Sequence, residues 1–173
     1  MKVYYWSPFI SNVATTSAVI NSIKSIKKFS KNKINCKILN VFKEWDYFKK
    51  EIDSNNIDLI DLKTAIDIKN LPTKGFIKSR ITYLITYVLS IVKLHLLLKK
   101  NKPEFLIIHL ITSIPLSLLI LFNYETKFIL RVSGYPKLNF WRSILWKIAD
   151  KKLYKIFCPT ILTQKLLLRK KVF

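Results

Sequence analysis

Residues 104–134 read EFLIIHLITSIPLSLLILFNYETKFILRVSG, and the fold turns on how this stretch is divided. Phe105–Phe122 carries no formal charge over eighteen residues, the length and composition of a membrane-spanning helix. Its punctuation divides it differently. Phe105–His109 is a short run of the buried-strand type, and Thr112-Ser113 then offers a hydroxyl to cap a helix. Pro115 falls where the first turn of a helix tolerates proline. A helix over Ser113–Asn123, a second buried run at Phe128–Val132 and a turn at Ser133-Gly134 complete a strand–helix–strand unit. Strands of a parallel sheet are covered on both faces, so these runs need no polar alternation.

Working outward, the same alternation recurs. Val3–Trp6 is a strand ended by Ser7-Pro8, and a helix over Ala14–Ser30 follows with Val19, Ile23 and Ile26 as its apolar stripe. Ile34–Val41 is a second strand, Glu44–Asp53 a short helix, and Ile57–Leu62 a third strand. Thr64–Lys74 reads as a polar loop. Gly75–Lys100 is the longest helix, apolar except for a narrow stripe of Ser79, Thr82, Thr86, Ser90 and Lys93, and packing on a sheet and neighbouring helices would account for it. Beyond the central unit, Trp141, Ile144, Leu145 and Ile148 mark a helix over Leu138–Lys152. Ile156–Cys158 is a sixth strand, and Thr160 caps a last helix over Ile161–Lys170. Six strands alternating with helices predict an α/β fold: one three-layer Rossmann-like domain over residues 1–173, with a mostly parallel six-stranded sheet and helices on both faces. The competing reading is a small integral membrane protein without enzymatic activity, its two spans at 81–98 and 105–122 joined by a short basic connection.

The chain has 173 residues and a net charge of +21, from 31 basic and 10 acidic residues. Seven of the ten acids lie at or before Asp67, which leaves the C-terminal half the more basic. Such a balance favours an anionic partner, namely a phospholipid surface or a phosphorylated substrate. The basic residues are scattered, and no nucleic-acid-binding motif occurs, so nucleic acid is not the expected partner. Cys36 and Cys158 form no metal-spaced or redox pair and read as buried small hydrophobes in a reducing compartment. The first residues, MKVYYWSPF, lack the apolar core and cleavage site of a signal peptide.

In an open parallel sheet, ligands bind beyond the C-terminal ends of the strands. The loop SPFISNVATTS, residues 7–17, is rich in hydroxyls and amides and feeds a helix N-terminus, where Asn12 or Thr15 would cap the helix or meet a ligand. His109 closes the fourth strand, with Thr112 and Ser113 just beyond it; it is either a ligand group or a core histidine bonded to backbone. Arg131 ends a buried strand, where an unpaired charge is costly, so it pairs with an internal acid or faces an anion in the cleft. With only Gly75 and Gly134, neither a GxGxxG turn nor a P-loop exists, and no nucleophilic triad or metal-spaced cluster appears.

Three segments in order, MKVYYWSPFISNVATTSAVINS, FLIIHLITSIPLSLL and FILRVSGYPKLNFWRSILWKIADKKLYKIFCPT, resemble the N-terminal half of GT-B-fold glycosyltransferases of the type 4 group. The resemblance implies transfer of a sugar from a nucleotide-sugar donor, a co-substrate rather than a cofactor, to a glycan or lipid-linked acceptor in bacterial surface polysaccharide or lipopolysaccharide synthesis. It implies that this domain binds the acceptor, that a C-terminal domain binds the nucleotide sugar, and that the enzyme sits peripherally on the anionic inner face of the plasma membrane. By resemblance Asn12 and Thr15 face the acceptor or donor phosphates. Thr112, Ser113, Arg131, Ser133 and Gly134 line the cleft, with His109 as the catalytic candidate. No metal is implied. Relatives often carry paired glycines in the first-strand loop, where Val13-Ala14 stand here. Such enzymes run to about twice this length by a two-domain count; the donor half and its glutamates are expected to lie on a separate or missing segment.

Overall fold

The computed structural model describes residues 1–9, 14–64, 76–134 and 139–169. Six strands, β1 (Lys2–Trp6), β2 (Asn35–Asn40), β3 (Asp58–Asp61), β4 (Phe105–Ile108), β5 (Lys127–Arg131) and β6 (Lys155–Phe157), form one sheet in the order β3-β2-β1-β4-β5-β6. Every pairing is parallel. Six α-helices alternate with them: α1 (Thr15–Phe29), α2 (Lys49–Ser54, entered through a 3₁₀ turn at Glu44–Phe48), α3 (Phe76–Asn101), α4 (Ser113–Leu121), α5 (Phe140–Asp150) and α6 (Ile161–Arg169). The fold is the expected three-layer Rossmann-like one, with a sheet that is parallel throughout.

Strand order dictates the layers. From β1 the chain steps outward through α1 and α2 to β2 and β3, then returns through α3 to β4 and steps the other way. Right-handed crossovers therefore put α1 and α2 on one face and α3, α4 and α5 on the other. Alternation along each strand splits the core accordingly. Val3, Tyr5, Cys36 and Ile38 pack with Val19, Ile20 and Ile23 of α1 and Ile52 of α2. Tyr4, Trp6, Leu106, Ile108, Phe128 and Leu130 pack with Leu94 and Leu98 of α3, Ile114 and Leu118 of α4, Trp146 of α5 and Leu167 of α6.

The two-span alternative fails. Among the described residues no helix is long and apolar enough to cross a membrane. Phe105–Ile108 is a central strand hydrogen-bonded between β1 and β5, and only Ser113–Leu121 of the second proposed span is helical.

Other expectations need correction. Thr112 does not cap α4 through its side chain; its hydroxyl accepts instead from the Trp146 indole at 3.3 Å. In α5 the core face is turned from the expected one: Trp146 and Ala149 are buried while Trp141 and Ile148 are exposed. Ser90 of the supposed polar stripe on α3 is fully buried, and neighbouring helices do not cover the helix, since Leu84, Val88, Val92 and Leu96 are exposed. Thr160 does cap α6, accepting from the Thr163 N–H at 3.1 Å. Cys36 is buried as expected, whereas Cys158 is only half-buried; both are free thiols. The polar loop at 65–74 lies outside the described residues.

Candidate functional site

The direction in which successive strands are added to the sheet reverses between β1 and β4, the position where open α/β sheets bind ligands. The parallel register ends at Ile108↔Leu130, so the next residues, His109 and Arg131, lie side by side beyond it. Alternation gives both the face that also carries Ile107 and Ile129, the α1 side of the sheet. No helix covers β5 and β6 on that side among the described residues, because α3, α4, α5 and α6 all pack on the other. A groove of about 630 Å³ results, walled by Thr15, Ala18, Ser22 and Ile26 of α1 and floored by Ile107, His109, Ile129, Arg131 and Phe157.

A second hollow of about 340 Å³ meets the first at His109, Arg131, Val132 and Ser133, and adds Thr112, Gly134, Arg142 and Trp146. Thr15, His109, Thr112, Arg131, Ser133 and Gly134 thus border one continuous depression. Ser113 lies apart, in a hollow with Asn139, Trp141, Arg142 and Leu145. Asn12 lies outside the described residues. Gly134 has open space where a Cβ would stand, so the fold itself does not demand glycine there.

His109 is 4% exposed, and neither ring nitrogen has a hydrogen-bond partner. Its backbone N–H donates to the Trp6 carbonyl at 2.9 Å, which fixes where the ring stands. Burial, and secondarily the Arg131 guanidinium, push its pKa down to about 3, so the ring is neutral at any physiological pH. A neutral imidazole offers one donor and one acceptor. Leaving both unmade in a dry site is costly unless a ligand completes them.

Arg131 is half-buried, and no acid pairs with it among the described residues. Its side chain borders both hollows. Beneath the groove, Tyr5 stacks at 5.9 Å from His109 and shares a 2.9 Å hydrogen bond with Ser22. Burial pushes the Tyr5 phenol up to about 12 and keeps it neutral.

Backbone strain marks the same place. Ile111, in the loop between β4 and α4, has φ of 45°, a left-handed conformation that a β-branched residue rarely takes. Its carbonyl accepts from the Trp6 indole at 3.3 Å, and its side chain packs on the core, which together hold it there.

Sequence reasoning singled out the two ionisable residues at the strand ends, and the structure sets both along the groove. It missed Tyr5, Ser22, Ile107, Ile129 and Phe157, since strands covered on both faces give no sign that one stretch of sheet is bare. Among the described residues no group of three or more His, Cys, Asp or Glu could hold a metal ion.

Comparison with known proteins adds one finding. The fold is similar to a crystal structure described as the glycotransferase of kitacinnamycin, with a TM-score of 0.51, 9% identity, and coverage of 87% of this chain and 34% of that one. At such identity the likeness is one of fold. The chain spans about a third of the length of that protein. No protein-family profile matches the chain, and no curated protein matches it.

Proposed function

We propose that this chain is the acceptor-binding, N-terminal half of a GT-B-type glycosyltransferase. It would hold a glycan or lipid-linked acceptor at an anionic membrane surface while a second domain presents the nucleotide sugar. The observation that carries the reading is the pairing of an unpartnered neutral His109 with an unpaired Arg131 on the floor of a half-apolar groove. The glycosyltransferase-like fold supports it.

In the transfer, an acceptor hydroxyl oxygen bonds to the anomeric carbon, the bond from that carbon to the donor phosphate oxygen breaks, and the nucleoside diphosphate leaves with the electron pair and takes up the hydroxyl proton. His109 has a pKa too low to retain the hydroxyl proton at neutral pH. Its part is to hold a sugar hydroxyl, itself both donor and acceptor, in one orientation. Arg131 supplies charge-assisted hydrogen bonds to a phosphate, of the acceptor carrier or the donor. Ile107, Ile129 and Phe157 suit the apolar face of a sugar ring or a lipid chain.

The test is calorimetric titration of the chain with a soluble short-chain prenyl-diphosphate monosaccharide. Binding that weakens about tenfold or more in both Arg131→Met and His109→Leu is expected, with no transfer until a donor-binding domain is added. No binding by the wild type, or binding by both variants as tight as the wild type's, contradicts the reading.

A further inference from the structure

The longest helix is apolar on two opposite sides, and the fold uses only one. On α3, Ser90, Leu94 and Leu98 are buried against the sheet layer, with Tyr87, Ile91 and Leu97 packed beside the core. On the other side, Leu84, Val88, Val92 and Leu96 recur every four residues at 62%, 56%, 57% and 58% exposure, with Ile81 alongside. This i, i+4 spacing makes one continuous stripe. The stripe reaches the next helix, because His95 stacks at 4.3 Å on Phe122, and Phe122 and Leu121 at the end of α4 are exposed as well. A contiguous apolar surface of this extent marks an interaction site.

The charge around it selects the occupant. Lys93, Lys99, Lys100 and Lys102 are exposed on or just after α3, and the Lys99 ammonium lies 5.9 Å from the Tyr124 ring at the patch border. Lys152 reaches the same end from beyond α5, donating to the Ile120 carbonyl at 3.0 Å. Glu125, the acid at this edge, is already paired with Lys102 at 2.5 Å. A second copy of a chain with net charge +21 would be repelled from such a patch, whereas anionic headgroups would be drawn to it. On the same helical layer α5 exposes Phe140 and Trp141, the second of them an amphipathic residue type that favours a membrane interface.

We propose that the exposed face of α3, with the end of α4, is a docking surface for an anionic lipid bilayer. The stripe would enter the headgroup boundary, the lysine rim would meet the headgroup charge, and the helix would lie in the interface without crossing it. The inference rests on the membrane side of the function proposed above and not on its sugar chemistry.

The test is co-sedimentation of the full chain with vesicles of mixed phosphatidylglycerol and phosphatidylcholine, against vesicles of phosphatidylcholine alone. The expected result is binding to the anionic vesicles that falls about tenfold or more in Leu84→Ser/Val88→Ser/Val92→Ser. That variant should keep its unfolding temperature and its affinity for the soluble prenyl-diphosphate probe. Loss of probe binding in His109→Leu with vesicle binding intact keeps the two proposals separable. Equal sedimentation of wild type and stripe variant overturns the inference. So does loss of binding in Lys99→Gln/Lys100→Gln alone with the stripe variant unaffected, which would mean plain charge attraction. A wild type that ignores vesicles and elutes as a dimer broken by the stripe substitutions overturns it too.

Discussion

Two loops leave the C-terminal edge of the sheet with an ionisable residue buried in each, and they have been finished in opposite ways. After β2, Glu44 is fully buried, and its carboxylate accepts from the backbone N–H groups of Val41 and Phe42, the latter at 2.6 Å. Asn40 beside it donates to Asp46 and Asp61 at 2.9 and 2.8 Å and accepts from the Trp45 N–H at 3.1 Å. That end of the sheet is closed upon itself, although the buried Trp45 indole N–H has no partner among the described residues, and the groove does not reach it. After β4, His109 is nearly as well buried, but neither ring nitrogen is bonded among the described residues, and a groove runs beside the ring; left-handed backbone occurs in both loops, at Lys43 and at Ile111. Burial alone therefore does not distinguish the two ends; unmet bonding beside a groove does.

The largest expected effect lies at the closed end. Glu44→Ala strands the Val41 and Phe42 N–H groups in a dry turn and should cost about 2–4 kcal/mol in urea unfolding. A loss under about 1 kcal/mol would mean that the turn holds itself without the carboxylate.

Next is the dependence of stability on pH, where the two residues pull in opposite directions. Burial raises the Glu44 pKa to about 7 from 4.5, so the folded chain binds more protons and stability falls as pH rises from about 4.5 to 7. At about 1.4 kcal/mol per pH unit the ceiling of that loss is about 3 kcal/mol. His109 has its pKa depressed, so the unfolded chain binds more protons and stability is lost as pH falls from 6.5 toward 3. Glu44→Gln should leave a profile that climbs between pH 4.5 and 6.5, and His109→Leu one that descends there. Parallel profiles for the two variants would break the comparison.

A smaller effect is expected at Arg131. Arg131→Met should lower affinity for the prenyl-diphosphate probe about tenfold, about 1.4 kcal/mol, and leave unfolding unchanged, since the guanidinium has no acid partner to lose among the described residues. Smallest is Ile111→Gly. Relief of about 1–2 kcal/mol of left-handed strain should nearly offset the lost packing of a partly buried side chain, for a net change within about 1 kcal/mol by urea unfolding.

Much of the fold was legible because its strands are short apolar runs, two of them closed by Pro8 and Pro159, separated by helix-length segments. Membrane-like stretches resolved correctly where proline and hydroxyls interrupt them, as at Thr112–Pro115. Side-chain partners from distant elements were not legible. Nothing near Thr112 announces that Trp146 will take its hydroxyl, and the rotation of α5 depends on how that indole fits beneath α4. At the candidate site, an ionisable residue ending an apolar strand was the signal that singled out His109 and Arg131, and both line the groove. The same rule gave no hint of Glu44, because its satisfaction by the backbone two and three residues earlier is a property of the turn and not of the composition.

One experiment addresses the contrast most directly: urea unfolding and prenyl-diphosphate titration of His109→Leu, measured side by side with wild type at pH 7. Because the imidazole makes no hydrogen bond in the fold, the variant should be as stable as wild type or more so, by up to about 1 kcal/mol, while its affinity for the probe falls about tenfold or more. A variant that loses stability and binds the probe as wild type does would make His109 a residue of the core, and the open end of the sheet would no longer be a site.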